Sequence, residues 1–225
     1  MQARGGPRPW MLALAFLAAT AAGAAEQTVL FRNADAPVAQ VVVEVLGDGI
    51  PPARPAPVPA VMDQVNLAFV PRQLVVARGS RVSFPNSDAT RHQVYSFSPA
   101  KRFELPLYSG TPPEPVLFDT AGVVTLGCNI HDAMIGFIVV VESSRWAVSD
   151  AEGRASLGAL PAGEYRLRFW HERIAGGPQT RVLAVSDEAK THLIEVPLEP
   201  PPPPRGSERL RALQDRLRGG TRERD

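Results

Sequence analysis

Cysteine occurs once in this chain of 225 residues, histidine four times, and the net charge is only +1. Each scarcity excludes something. A single thiol cannot close an intramolecular disulfide. So even a charge balance lacks the basic field that holds nucleic acid, and no nucleic-acid partner is expected. Helical periodicity over long stretches is also scarce, while proline is abundant at 23 residues, which points to a loop-rich all-β protein. Hydrophobic residues at 44% and charged residues at 21% mark a chain that can pack a core and argue against gross disorder.

The two ends read differently from the middle. Arg4 and Arg8 precede an apolar run over residues 10–22, and Ala22-Gly23-Ala24 has the small-x-small pattern of a cleavage site. Residues 1–25 are therefore read as a signal peptide and set aside from the fold. The run falls short of the about 20 apolar residues of a membrane span, and no cysteine follows it to carry a lipid. The expectation is a chain exported to the periplasm, with no transmembrane span in its mature form. At the other end, residues 199–225 form a proline-rich and charged tail. Leu210, Leu213 and Leu217 fall on one face of a short helix there, and a helix so short is marginal alone, so a solvated tail is expected.

Between the ends the pattern is of short strands. Residues 26–60 hold one β-branched run at 41–46 and a proline-rich linker at 51–59. Residues 61–142 carry strand-like runs at 74–77, 81–84, 94–97, 116–118, 123–126 and 135–141, separated by Gly, Pro, Asn and Asp, the mark of a sandwich or barrel. Residues 145–198 form a second β unit with turns at 150–153 and 160–163. About fifty residues is small for a core of its own, so the strand at 41–46 is expected to complete it. Tyr95, Phe97, Phe103 and Tyr108 read as core or loop-packing aromatics.

An unpaired cysteine in an exported chain is an inert buried thiol, an intermolecular bridge, a reactive thiolate or a metal ligand. Cys128, His131 and Met134 stand at the spacing C-x2-H-x2-M between two strand-like runs, so one short loop aims three donor atoms at a point. Thiolate and thioether are soft and imidazole is intermediate, a set that suits copper in both Cu(I) and Cu(II). Zinc would also bind such donors in vitro. Two imidazoles, one thiolate and a weak axial thioether make a trigonal blue-copper site, and the loop is one histidine short. His92, following the turn-rich residues 85–90 at the start of a strand-like run, is the candidate. His171 and His192 fall in the second unit and are read as surface residues.

Phe69-x-Pro71, Leu74-x-Val76, Gly79, Val82-x-Phe84-x-Asn86-x-Asp88 and His92 resemble the first half of a cupredoxin, and residues 127–134 resemble its last half, with the ligand spacing of amicyanin. This resemblance covers residues 61–142. Residues 145–198 are similar to carboxypeptidase-regulatory-like, transthyretin-type sandwiches, and the pair resembles plastocyanin-like proteins of methylamine utilisation. The resemblance implies an all-β fold, a cupredoxin Greek-key β-sandwich plus a smaller transthyretin-type β-sandwich. It implies His92, Cys128, His131 and Met134 as the ligands of one type 1 copper per chain, and Asn86 as a brace for the cysteine loop. Gly127 departs from the pattern, where a bulkier residue is usual before the cysteine. Asn129, Ile130 and Asp132 stand where prolines are common.

Such a chain is expected to carry single electrons and not to be an enzyme. A catalytic copper needs further histidine clusters, and four histidines leave too few. The partners implied are redox proteins of the cytochrome c or periplasmic dehydrogenase type, met at a small apolar patch of Ile130, Ala133 and Ile135 around His131. Arg91 and Asp132 flank the ligands and set the local charge, but charges in residues 61–142 nearly balance and strong steering is not expected. The alternative is a copper-binding or assembly module whose second β unit binds protein or carbohydrate.

Overall fold

A computed structural model describes residues 23–112 and 114–201. The expected signal segment lies largely outside these residues, as does the tail from residue 202 with its three leucines. Among the described residues the structure is all-β and has no helix. Strands β1 (Ala24–Asn33), β2 (Ala36–Pro37) and β3 (Val42–Leu46) open the chain. The middle holds β4 (Ala60–Val61), β5 (Asp63–Val65), β6 (Ala68–Val70), β7 (Gln73–Ala77), β8 (Ser80–Ser83), β9 (His92–Ser98), β10 (Lys101–Tyr108), β11 (Val116–Phe118), β12 (Gly122–Gly127) and β13 (Ile135–Val141). The last part holds β14 (Trp146–Val148), β15 (Arg154–Pro161), β16 (Gly163–Trp170), β17 (Gln179–Val185) and β18 (Lys190–Glu195).

In the middle part a five-stranded sheet, β10-β9-β12-β13-β7, faces a three-stranded sheet, β11-β8-β4. Inward residues of both sheets share one core: Val94, Val124, Leu126 and Ile138 from the first, Val82 and Phe118 from the second, all at 0% exposure, with Phe84 just beyond β8. Strand β10 was absent from the sequence reading, although Phe103 and Leu105 alternate with Arg102 and Glu104 at period two. Its Pro106 is tolerated because β10 is an edge strand and the ladder shifts register between Leu105 and Tyr108.

The other sandwich is assembled from both ends of the described chain. Sheet β14-β3-β16-β17 faces sheet β15-β1-β18, with β2 on β1. Their core joins Val29, Phe31, Val43 and Val45 to Leu157, Leu160, Leu167 and Val196. Strand β3 is buried on both faces and lies between β14 and β16, in register from Val42↔Trp170 to Leu46↔Arg166. Strand β1 was absent from the sequence reading. Ala24 and Ala25, set aside with the signal segment, pair with Pro161 and Leu160, and Val29 and Phe31 are fully buried. The proline-rich stretch is pinned as well, since Ala53 N–H donates to Glu142 O at 2.8 Å.

Candidate metal centre

Strand pairing brings the distant candidate residues together. β12 and β13 run antiparallel and close on the pair Gly127↔Ile135, so the loop 128–134 projects from one end of the sheet. Met134 N–H donates to His131 O at 2.9 Å and tightens that loop. β9 lies beside β12, with Tyr95 opposite Gly127, and its first residue is His92. The sheet end therefore carries His92 next to the cysteine loop. Cys128 is 3% exposed, Met134 1% and His92 0%, while His131 is only partly buried.

The three donor atoms form a small triangle. His92 Nδ1 lies 3.8 Å from Cys128 Sγ, His131 Nδ1 lies 3.8 Å from the same sulfur, and the two nitrogens are 3.1 Å apart. The point equidistant from all three is about 2.1 Å from each, against about 2.0–2.1 Å for zinc–nitrogen and about 2.3 Å for zinc–sulfur bonds. The triangle thus has the size of a metal's coordination plane, and its donor set of two imidazoles and a thiol suits a borderline-soft ion. Met134 follows on the same loop and is buried in the same core as Cys128.

Asp88 fixes the orientation of His92, a role that sequence reading missed. Its Oδ2 lies 2.8 Å from His92 Nε2. Its two oxygens also accept the Leu67 N–H at 2.9 Å and the Asn66 N–H at 2.6 Å. The Leu67 N–H first, then His92 and the Asn66 N–H, hold the Asp88 carboxyl below the usual carboxylate range against the opposing effect of burial. A carboxylate at Nε2 keeps the proton there and leaves the Nδ1 lone pair facing the sulfur. The only sequence signal was an acid four residues before a histidine.

Asn86 does not brace the cysteine loop. Its Nδ2 donates to Thr90 O and Tyr108 O, both at 3.0 Å, and its Oδ1 accepts the Asp88 N–H. It ties the turn carrying Asp88 to the end of β10 and so acts on the His92 side. Behind it, Tyr108 donates its hydroxyl to Phe84 O at 2.6 Å and accepts from Gln64 Nε2. Burial pushes the Tyr108 phenol up to about 12, so it remains a donor. Gln64 is fully buried and its Oε1 has no hydrogen-bond partner.

The unusual Gly127 has a steric reason. A Cβ there would stand 2.7 Å from Tyr95 Cζ and 2.8 Å from its hydroxyl oxygen, so the phenol ring occupies the space of the missing side chain. Phe97 packs on Tyr95 with ring centres 5.2 Å apart but is 76% exposed, so of the core or loop-packing expectation the core half does not hold. Together with Cys128, Asp132 and Met134 they line an open pocket of about 440 Å³. Phe103 does pack in the core, on Phe84 and Phe118. Around the partly buried His131, Ile130 is 51% exposed and Ala133 is also exposed, while Ile135 is partly buried.

The remaining histidines lie elsewhere. His171 Nδ1 accepts the Arg173 N–H at 3.2 Å, and His192 Nε2 lies 2.8 Å from Gln27 Oε1. Burial lowers the pKa of both.

No family model matches the chain, and no curated protein matches it by sequence. Among solved structures, the chain is similar to a copper-containing nitrite reductase from Thermus scotoductus at 26% identity and a TM-score of 0.36, covering 39% of this chain and 23% of that one. It is similar to a purple cupredoxin from Nitrosopumilus maritimus at 22% identity and a TM-score of 0.33, covering 36% of this chain and 98% of that one. An oxidised amicyanin variant gives 21% identity and a TM-score of 0.34, over 43% of this chain and 98% of its own. The chain thus spans less than a quarter of the nitrite reductase and nearly all of the two small cupredoxins.

Proposed function

We propose that this chain is an exported, periplasmic one-electron carrier holding one copper ion in a type 1 site, with His92, His131 and Cys128 in the trigonal plane and Met134 as the weak axial donor. The observation that carries this reading is the triangle of two imidazole nitrogens and one thiol sulfur, buried but for His131 and already at a metal's spacing. Bound copper would supply one-electron exchange between Cu(I) and Cu(II).

The chain's own residues make that exchange cheap in rearrangement. His92 is locked by Asp88, and Cys128 and Met134 are held at the ends of paired strands, so the ligand geometry is fixed before a metal arrives. The apolar core behind Cys128 keeps water from the sulfur. His131, the partly exposed ligand, is the edge through which electrons pass. Ile130 and Ala133 beside it, with Leu67 and Leu107 on segments bonded to Asp88 and Arg91, offer the small apolar contact of a transient redox encounter. The partners inferred are cytochrome c-type or periplasmic dehydrogenase-type proteins. No catalytic role is proposed, because His171 and His192 are engaged in the other sandwich.

The test is the visible spectrum of the full chain after Cu(II) is added, with Cys128→Ser as control. An intense thiolate-to-copper band, absent in the control, supports the reading. A colourless protein overturns it. A coloured protein without a reversible potential that gives its copper up to a partner would replace the carrier by a copper-assembly module.

A further inference from the structure

The strand that leaves the metal loop runs directly into the junction between the sandwiches. β13 starts at Ile135, one residue after Met134, and its outward residues Val139 and Val141 are buried with Val42 and Trp170 of the other sandwich. Its first turn of chain, 135–137, is gripped from three sides. From inside, Phe69 lies so close to Gly136 that a Cβ there would stand 2.8 Å from the Phe69 Cβ. From the residue before β7, the Arg72 carbonyl accepts the Phe137 N–H at 2.9 Å and its Nη1 donates to Ile135 O at 3.3 Å. From the other sandwich, Trp170 packs on the Phe137 ring at 5.1 Å. Glu172, two residues on, accepts Arg72 Nη2 at 2.6 Å and Nε at 3.1 Å on one oxygen. The same guanidinium lies 5.6 Å from the centre of the Phe137 ring.

An ion pair this exposed adds little to folding stability. Its geometric effect is larger, because Glu172 decides where the guanidinium that holds Ile135 O can sit. In the proposed copper site the neighbouring Met134 would be the donor whose distance bonding fixes least, since a thioether completing a two-imidazole, one-thiolate set binds weakly and tunes the potential. His92 and Cys128 stand at the ends of β9 and β12, which Arg72 does not touch.

We propose that Arg72 and Glu172 are positioning residues through which the second sandwich sets the placement of Met134, and thereby the electronic character of the metal centre. The electronic half rests on the copper reading; the placement of Met134 does not.

The experiment uses the full chain with methyl-labelled methionine, first without metal and then with Cu(II). Glu172→Gln is isosteric and removes only the charge that fixes Arg72. Arg72→Lys and Arg72→Leu are compared with it, and Asp119→Asn, which breaks the Lys101 pair at 3.8 Å, is the control. Without metal, Glu172→Gln is expected to move the methyl resonance of Met134 but not that of Met62, which is buried in the same core, at an unchanged melting temperature. Arg72→Lys moves it less than Arg72→Leu, and Arg72→Leu combined with Glu172→Gln moves it no further than Arg72→Leu alone. With copper, the ratio of the thiolate-to-copper bands and the potential shift in the same order. A Met134 methyl that stays in place in Glu172→Gln and Arg72→Leu overturns the proposal, as does an equal shift in Asp119→Asn. A methyl that moves in a chain showing no thiolate-to-copper band supports the coupling and overturns the copper reading alone.

Discussion

Both sandwiches bury polar groups, and the two sets behave differently. In the sandwich built from β1, β3 and the last strands, Gln27, Glu44 and Ser149 are each under 5% exposed, and every one is answered. Glu44 Oε1 accepts Arg168 Nε and Nη2, and its Oε2 accepts the N–H groups of Glu142 and Ser143. Ser149 donates to Val38 O and accepts the Val41 N–H. In the sandwich of β4 to β13, His92 Nδ1, His131 Nδ1 and Cys128 Sγ converge on one another instead. Two ring nitrogens and a weak thiol donor cannot satisfy a three-way meeting among themselves. Buried polar groups that satisfy each other mark a structural device. Those that converge without satisfying each other mark a site that wants a ligand.

The comparison breaks most visibly if the structural set is cut. Phe31→Ala, at 0% exposure and stacked on Phe169, is expected to cost about 3–5 kcal/mol. Arg168→Leu, which leaves the Glu44 carboxylate buried without its cation, is expected to cost nearly as much, about 3 kcal/mol. Urea unfolding of the metal-free chain checks both, and a loss below 1 kcal/mol in either would contradict the packing described.

Cutting the converging set has a different signature. Asp88→Asn is expected to leave the fold intact yet weaken copper binding about 10- to 100-fold, by releasing the tautomer of His92. Competition titration against a chelator reads that loss, and unchanged affinity would remove Asp88 from the site. Gly127→Ala pushes Tyr95 out of its slot and is expected to cost about 1–3 kcal/mol. Tyr95→Val in the same chain recovers most of that cost, and additivity of the two changes would refute the contact. Ile130→Ser gives the smallest stability change, within about 0.5 kcal/mol, but is expected to slow reduction by a partner protein in stopped-flow mixing.

Legibility in the sequence followed how local each signal was. The runs at 74–77, 116–118 and 135–141 became β7, β11 and β13 nearly residue for residue, because alternation and β-branching are properties of neighbouring residues. The Cys128 and His131 part of the cluster was legible for the same reason, since both stand in one short loop. β10 was missed because charges and Pro106 masked its alternation. β1 was missed because Ala24 and Ala25 continue the small-residue pattern of the segment before them, while its partners lie at 154–161 and 190–195. Phe97 was read as a core or loop-packing aromatic from its type alone, and its place in the sheet leaves it 76% exposed, which excludes the core half of that reading.

The sequence by itself determined an all-β chain and the residue types that a metal-binding loop needs, since strand pattern and donor chemistry are written within a few residues. Tertiary structure alone decided that Asp88 orients His92 and that Asn86 serves the His92 side of the site. It also decided that Tyr95 fills the space above Gly127 and that Arg72 links Ile135 to Glu172 across the junction. Apart from the Asp88–His92 pair, only four residues apart, these contacts join segments distant in the chain and are fixed by register and packing. A one-residue slip in either strand would turn the side chain to the opposite face, so no local pattern can encode it.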